Sequence, residues 1–511
     1  MTMRRAVDAA FWVCVALLAA AHLIVLWQSI AANALWEDEA FNLTVPVNLL
    51  AGLGYTSDGT LSGSTLTPFD PRISTGPVVL LPIAAVLATG ADLVAGARLV
   101  PAAFYVALIV AVWVLGRRVG GRWAALLAVT VPLAFDATAP PSPIQGPADI
   151  LGEVPAAALI AWGLVALQRR PWLAGLLLGL AVQAKYISLL AAPAFVVVLL
   201  LSLPGVPLVR RLRSAIVPAA LALVPTVVIE VCALIALGPA GFVRHVLDTV
   251  RFVRSAGQPG VETTVGEKLA TLSQSWHVPG VWVAVAAVTA AVLVVAAVVA
   301  VGRMPELGDL RLGTAASVRA TAPLLAGASL GALTYIAWWS TAAHTPLWVR
   351  HPAPGLLAFV PVLVAFVVPA VRLLWAAGER RASAQRAVDG DTVAGPSTMT
   401  RVTRAALAVA TALIVGVAVA QTVTAASAAL ASDDAVLAQQ RDIAAEIATV
   451  DAEWIATQWG GAVSLVVLAG SHVALTDAPP ENTAGYPVLT SDTALCERPL
   501  TGAPPFVVCA P

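Results

Sequence analysis

The run from Phe11 to Ile30 contains no charged side chain. As a helix it is long enough to cross a bilayer core of about 30 Å, and apolar blocks of the same kind recur along the chain. The chain therefore reads as a polytopic membrane protein, not as a soluble domain on one anchor. Composition agrees: 59% of its 511 residues are hydrophobic and 11% charged, where soluble proteins carry about a quarter charged residues. A net charge of zero gives no case for nucleic-acid binding. The basic residues are nearly all Arg, with Lys185 and Lys268 the two lysines, and Ala and Val abound. That skew fits a GC-rich bacterial genome.

Candidate spans lie near 9–31, 98–116, 121–136, 149–167, 172–185, 187–203, 214–237, 279–301, 321–343, 353–373 and 405–429. The first reads as uncleaved, since its apolar core is too long for a signal peptide. Arg residues favour the cytoplasmic side. With Arg4 and Arg5 inside, the inner loops also hold Arg117, Arg118 and Arg122, then Arg169 and Arg170, then Arg210, Arg211 and Arg213. Arg303, Arg311, Arg319 and the 373–404 loop complete the set, so most of the 29 basic residues fall inside. This requires the apolar segment 78–95 to lie in, or dip into, the outer interface; a short true span is the alternative. The predicted fold is an all-α bundle of about 11 (10–13) transmembrane helices over residues 1–429, each span needing about 20 residues.

Three regions then face outward: a first loop at 32–97 with interfacial helices, a loop at 238–278, and a small α/β region at 430–511. The last has a helix-like stretch at 433–459 and a strand-like Ser464-Leu465-Val466-Val467-Leu468. It is too small for a large core and is expected to rest on the membrane domain. Cys14 and Cys232 lie in apolar spans, whereas Cys496 and Cys509 share the tail, where an oxidising compartment permits a disulfide.

Polar residues in awkward places point to chemistry. Glu37, Asp38 and Glu39 follow the first span directly; carboxylates there are costly unless they face water, a partner or a polar substrate. The plainer reading, that they solvate the end of the span, is weakened by the Gly- and Pro-punctuated loop behind them. Pro46 interrupts the short helix suggested by Phe41 to Leu50, and Gly52 and Gly54 end it. Asp149 and Glu153 lie four apart where an apolar helix begins, with Asp136 a weaker companion. On a helix that spacing gives one face, although the helix dipole explains one such carboxylate by itself. Lys185 and Tyr186 stand between two apolar runs; the side chain either snorkels to the headgroups or meets a phosphate. His344, Arg350 and His351 share an outer turn with Trp338, Trp339 and Trp348, and a guanidinium matches phosphate by its planar fork. The 238–278 loop adds Arg244, His245, Arg251 and Arg254, with Trp276 and His277 before the next span.

Carboxylates suit deprotonating a hydroxyl or holding a metal, and cations suit a departing phosphate. Sugar transfer from a lipid-linked phosphosugar draws on both. There is no P-loop, G-x-S-x-G elbow or H-E-x-x-H pattern. A transporter or lipid flippase, the alternative, predicts paired repeats and charges near mid-span; no repeat is evident, and the strongest charges cluster at span ends.

The ordered pieces resemble the GT-C superfamily of polyprenyl-phosphate-sugar-dependent glycosyltransferases, in particular the protein O-mannosyltransferase and aminoarabinose-transferase branch. They are Asp38-Glu39 after the first span, Ser74-Thr75-Gly76-Pro77, Arg98-x-x-Pro101, Gly116-Arg117-Arg118, the acidic start at Asp149 or Glu153, and Gly179-Leu180-Ala181 before Lys185. The likeness is best over residues 1–200 and returns at Arg350-His351. It implies Asp38 as the base of an inverting transfer, with Glu39 orienting it or touching the sugar. Asp149 or Glu153 would hold the acceptor or a metal, and Lys185 and Arg350 would neutralise the lipid phosphate with His351 and Tyr186 nearby. Where that branch has Lys-Pro-Pro this chain has Phe69-Asp70-Pro71-Arg72-Ile73-Ser74-Thr75-Gly76-Pro77, so Arg72 takes the place of the lysine. The resemblance implies a polyprenyl-phosphate-sugar donor and an active site on the outer face of the plasma membrane. It leaves open a divalent cation (Mg, Mn or Ca), the sugar, and whether the acceptor is a cell-wall glycan, a glycolipid or a protein.

Overall fold

The computed structural model describes residues 2–58, 65–134, 146–203, 205–255, 261–389, 398–432, 435–476, 483 and 485–511. Asp136 lies outside these residues, as does the side chain of Arg254. The helices in chain order begin with α1 (Thr2–Ala31), α2 (Glu37–Leu50), α3 (Pro77–Leu87), α4 (Leu93–Gly120), α5 (Arg122–Val129), α6 (Glu153–Ala166), α7 (Pro171–Ala184) and α8 (Ala192–Leu201). There follow α9 (Leu208–Ser255), α10 (Val265–Gln274), α11 (Gly280–Arg303), α12 (Ala322–Thr341), α13 (Ala353–Ala365), α14 (Val367–Asp389), α15 (Thr398–Ala431), α16 (Val436–Ala448) and α17 (Gly461–Leu468).

Among the described residues seven helices, not eleven, are long and apolar enough to cross a membrane: Arg4–Ala31, Leu93–Gly120, Leu208–Phe252, Gly280–Arg303, Arg319–Thr341, Ala353–Ala384 and Arg401–Ala448. The segments expected as spans at 121–136, 149–167, 172–185 and 187–203 instead give the helices α5 to α8, of 8, 14, 14 and 10 residues. At 1.5 Å per residue even the longest covers only about 21 Å. Their ends are set by chemistry in the sequence. Pro132 tightens the chain into a 3₁₀ turn after α5, Pro171 opens α7, and Lys185 ends it in an extended conformation. Apolarity without length marks an interior layer: α6 is buried over nearly its whole length and packs on α4, α7 and α13. The 78–95 segment likewise yields an 11-residue helix, α3, too short at about 16 Å to cross alone.

Small residues let these helices approach closely. A Cβ at Gly116 of α4 would fall 2.5 Å from the Ala125 Cα of α5, and one at Gly175 of α7 would fall 2.0 Å from the Pro218 carbonyl of α9. One end of the bundle gathers the arginine-bearing connections. Arg122 pairs with Asp8 at 2.5 Å, the Thr314 and Ala315 amides donate to the Arg117 and Arg118 carbonyls, and Arg118 donates to the Val165 carbonyl.

The opposite end carries α2, α3 and the C-terminal region. Pro46 does not interrupt α2, which runs continuously through it; the helix loses one hydrogen bond there. Gly52 and Gly54 take positive φ values of 80° after its end, a conformation in which glycine meets no steric penalty. The strands β1 (Thr56–Ser57) and β2 (Thr67–Pro68) form a hairpin. The C-terminal strands are β3 (Trp454–Thr457), β4 (His472–Leu475), β5 (Val488–Thr490), β6 (Pro499–Ala503) and β7 (Phe506–Cys509), in the order β4-β3-β5-β7-β6. The apolar run expected as a strand at 464–468 is the helix α17. It connects the parallel pair β3 and β4, and a parallel connection requires a crossover, usually helical. Cys496 and Cys509 form a disulfide.

This region is fastened to the first outer loop. Asp58 accepts from the Val473 amide at 2.8 Å and pairs with His472 at 2.9 Å, while Arg441 meets Asp92 at 2.7 Å. Gln440 bonds both backbone groups of Leu35, and Phe41 meets the edge of Trp459. One apolar core continues from α4 and α6 into α17 and β4.

Candidate active site

Successive helical residues point about 100° apart, so the three carboxylates in the first turn of α2 enter three environments. Glu37 is half-buried, and burial pushes its carboxyl above the usual range. Its own backbone contact opposes this, Asp38 reinforces it, and Arg350 opposes it. Glu39 is fully buried and points inward to Arg98 of α4, itself fully buried. Arg98 Nε and Nη2 donate to the two Glu39 oxygens at 3.0 and 2.6 Å. The Ile150 amide donates to Glu39 at 2.9 Å, and Arg98 Nη1 and Nη2 also donate to the Asn33 and Ala34 carbonyls at 2.8 Å. This knot binds the end of α1, the start of α2, α4 and the 146–152 turn into one piece.

Asp38 faces Arg350, with which it forms an ion pair; the side chains are 24% and 9% exposed. The guanidinium lies 4.1 Å from the Trp348 ring centre and 5.3 Å from that of Trp36, a sandwich suited to a planar cation. Trp348 also stacks on His351. Burial, then the positive charges of Arg350, Lys185 and Lys268, hold His351 well below the usual histidine range. Its sealed Nε2 has no hydrogen-bond partner among the described residues. The turn carrying Arg350 is fixed from below by Lys268 of α10, fully buried, whose ammonium donates to the Trp339 and Ala342 carbonyls and to Thr345 Oγ1 at 2.5–2.7 Å.

Lys185 is buried, not snorkelling. Its ammonium lies 2.7 Å from Glu153 Oε1 and donates to Ser74 Oγ at 2.8 Å. Three segments are indexed on one another here: Thr75 bridges Lys185 in antiparallel fashion, and the Gly76 amide donates to the Ala184 carbonyl at 3.1 Å. A Cβ at Gly76 would stand 1.9 Å from the Gln183 carbonyl oxygen, and one at Gly152 would stand 2.0 Å from that of Ala184. Glycine is required at both by close approach of backbone. Asn42 of α2 ties the arrangement to Thr75 Oγ1 at 3.0 Å and to the Ile150 carbonyl at 2.8 Å. Glu153 is fully buried, and its Oε2 has no hydrogen-bond donor among the described residues. Asp149 is buried too, but it precedes α6, in the turn opened by Gly146 and Pro147. The two carboxylates therefore do not share a helix face, because the helix begins only at Glu153.

Arg72 pairs with Asp70 at 3.1 Å, and Ser57 donates to the other Asp70 oxygen. Tyr186, 40% exposed, lies beyond Lys185 on a cleft that it lines with Ser74 and Tyr55. The fold thus brings Asp38, Arg350 and His351 into one cluster and Lys185 and Glu153 into an adjoining one, with Arg72 and Tyr186 beyond Ser74. Among the described residues no three His, Cys, Asp or Glu side chains converge, and Asp38, Glu39 and Glu153 each face a cation of the chain.

Sequence reasoning missed the partners. Arg98 stood out only as part of a span entry and Lys268 only as a rare lysine, while Asn42 and Asp58 carried no signal. A buried ion pair between residues 59 apart, and a lysine serving a turn 71–77 residues away, leave no local pattern.

The fold is similar to that of ArnT from Cupriavidus metallidurans. Against the crystal structure bound to undecaprenyl phosphate the identity is 14%, and against the apo structure it is 15%. In both cases the TM-score is 0.59 and 98% of each chain is covered. No protein-family model and no curated protein matches the chain. This is a likeness of fold over the whole chain, membrane helices and C-terminal region together.

Proposed function

We propose that the chain is a membrane glycosyltransferase that moves a sugar from a polyprenyl-phosphate donor to an acceptor hydroxyl on the extracytoplasmic face, with inversion. The observation that carries this reading is the meeting of Asp38 with Arg350, 312 residues apart, beside a second cation, Lys185. A base and two phosphate-balancing cations are what the transfer needs. Support comes also from the fold shared with ArnT, one of whose structures holds undecaprenyl phosphate. The arginine-bearing loops gather at the end away from this cluster, which supports the outward orientation.

In this reading the Asp38 carboxylate accepts the proton of the acceptor hydroxyl as its oxygen attacks the anomeric carbon. The bond from that carbon to the phosphate oxygen breaks, and its electron pair leaves on the lipid phosphate. Arg350 exchanges Asp38 for the phosphate, which frees the base as the donor arrives, and Lys185 balances the remaining charge. Glu39, whose oxygens are engaged by Arg98 and Ile150, orients the first turn of α2. Glu153, with one carboxylate oxygen unclaimed among the described residues, is the better placed of the two second-site carboxylates to receive the acceptor, and Asp149 backs it. Arg72, Tyr186 and His351 border the donor headgroup.

The test is purified, folded Asp38→Asn protein incubated with a polyprenyl-phosphate sugar. Release of free polyprenyl phosphate should fall at least a hundredfold, the scale of general-base catalysis, about 10²–10⁴-fold. Release at the parent rate would remove Asp38 from the reaction.

A further inference from the structure

Beside Tyr186, the cleft beyond Ser74 is lined by ionisable side chains that the transfer chemistry does not use. Its polar lining includes Asp70, Glu230 and His245, and no lysine or arginine lines it among the described residues. Glu230 stands in the apolar run of α9, two turns before the break at Gly238, where φ is 67°. An ionisable residue in such a run marks a functional site by default. The break brings His245 back to it, and the two pair at 3.2 Å with the Glu230 side chain 30% exposed. One contact leaves most of the acceptor positions of a carboxylate open. Phe69 adds an independent sign. It holds a left-handed φ of 48°, which side chains other than glycine rarely adopt, and backbone strain of this kind clusters at ligand clamps. That conformation sets its ring 6.2 Å from His245 and 5.4 Å from Tyr55, with the exposed Tyr186 on the same cleft.

We propose that this cleft is a saccharide subsite, taking an uncharged or amino-bearing sugar ring. Ring hydroxyls donate to Glu230, and the apolar face of the sugar lies on Phe69 and Tyr186. The Glu230 carboxylate repels a phosphate or a uronic acid, which Lys185 on the far side of Ser74 would otherwise attract. The assignment rests on the reading of the chain as a glycosyltransferase, and the ring is that of the donor or of a glycan acceptor. Ser74, shared between this cleft and the Lys185 ammonium, is the point of contact between the two.

Binding can be read without turnover. The chain in lipid nanodiscs is titrated with methyl mannopyranoside, methyl galactopyranoside, methyl arabinofuranoside and methyl galacturonide, observed by saturation-transfer NMR. At least one neutral glycoside should bind and the uronide should not. Glu230→Gln should weaken binding about tenfold, as loss of a charged hydrogen bond does, and Tyr186→Ala about threefold, both in protein that elutes as the parent does. Binding should survive Asp38→Asn, so a failed transfer assay and a failed subsite stay distinguishable. Displacement by a polyprenyl-phosphate sugar, but not by bare polyprenyl phosphate, identifies the donor ring; displacement by an oligosaccharide alone identifies the acceptor. The proposal is overturned if no glycoside binds, if the uronide binds equally, if both variants bind as the parent does, if Asp38→Asn abolishes binding, or if no competitor displaces the glycoside.

Discussion

Removing the guanidinium of Arg98 tests whether the carboxylate knot holds the outer end together. Arg98→Met preserves much of the side-chain volume but withdraws both donors to Glu39 and those to the Asn33 and Ala34 carbonyls. Glu39 would keep only the Ile150 amide in a site with no solvent exposure. Breaking a buried pair from one side costs about 3–5 kcal/mol, because the partner is left charged and uncompensated. Removing both partners, in Glu39→Leu with Arg98→Met, should recover more than half of that loss, since an apolar pair avoids the desolvation penalty. The assay is unfolding in mixed micelles of increasing SDS content, followed by tryptophan fluorescence, for the parent, both single variants and the double variant. A loss below about 1 kcal/mol for Arg98→Met, or a double variant less stable than Arg98→Met, would refute the reasoning.

Three further outcomes follow from the geometry. The hydrogen bond to Asp58, set against partial burial, raises His472 above its ordinary value of 6.5. The clasp between the C-terminal region and the first outer loop is therefore complete below about pH 6.5 and loosens as pH rises through the raised value. Hydrogen exchange at β4 should follow that titration, and Asp58→Asn should flatten it. Gly76→Ala forces a methyl group against the Gln183 carbonyl, where neither backbone yields, and should cost about 3 kcal/mol in the same SDS titration. Lys268→Met withdraws three donors from the turn that carries Arg350. It should lower kcat/KM about tenfold, on the scale by which misplacing catalytic groups slows reactions, while donor-independent unfolding changes by less than it does for Arg98→Met.

Much of this architecture was legible because membrane helices and interfacial charges obey strong local rules. The apolar blocks mark the helices, Arg loops mark one end, and the acidic triplet marks the start of α2. Length was where the reading failed: an apolar stretch such as Glu153–Ala166 looks the same whether lipid or protein surrounds it, and only the fold shows that protein does. The 464–468 run failed for a related reason, since a short apolar segment has no period that separates a buried strand from a buried helix. The fourfold spacing of Asp149 and Glu153 misled because Gly152 and Pro147 postpone the helix. At the site, the residues themselves were visible, while their partners were not. Nothing near Glu39 in sequence announces Arg98, and nothing near Asp38 announces Arg350.

Those two pairings differ in the order in which a growing chain can make them. Arg98 follows Glu39 by 59 residues, whereas Arg350 follows Asp38 by 312. At about 5–20 residues per second, Glu39 acquires its counterion within about 3–12 s of its own synthesis, and Asp38 waits about 15–60 s. The turn of helix bearing both is thus anchored by one carboxylate early in membrane insertion while the other stays uncompensated until about two-thirds of the protein exists. A ribosome-arrest series would see this as two separated steps: protection of Glu39 once the α4 segment emerges, and acquisition of the Asp38 pairing only after the turn before α13 has left the tunnel.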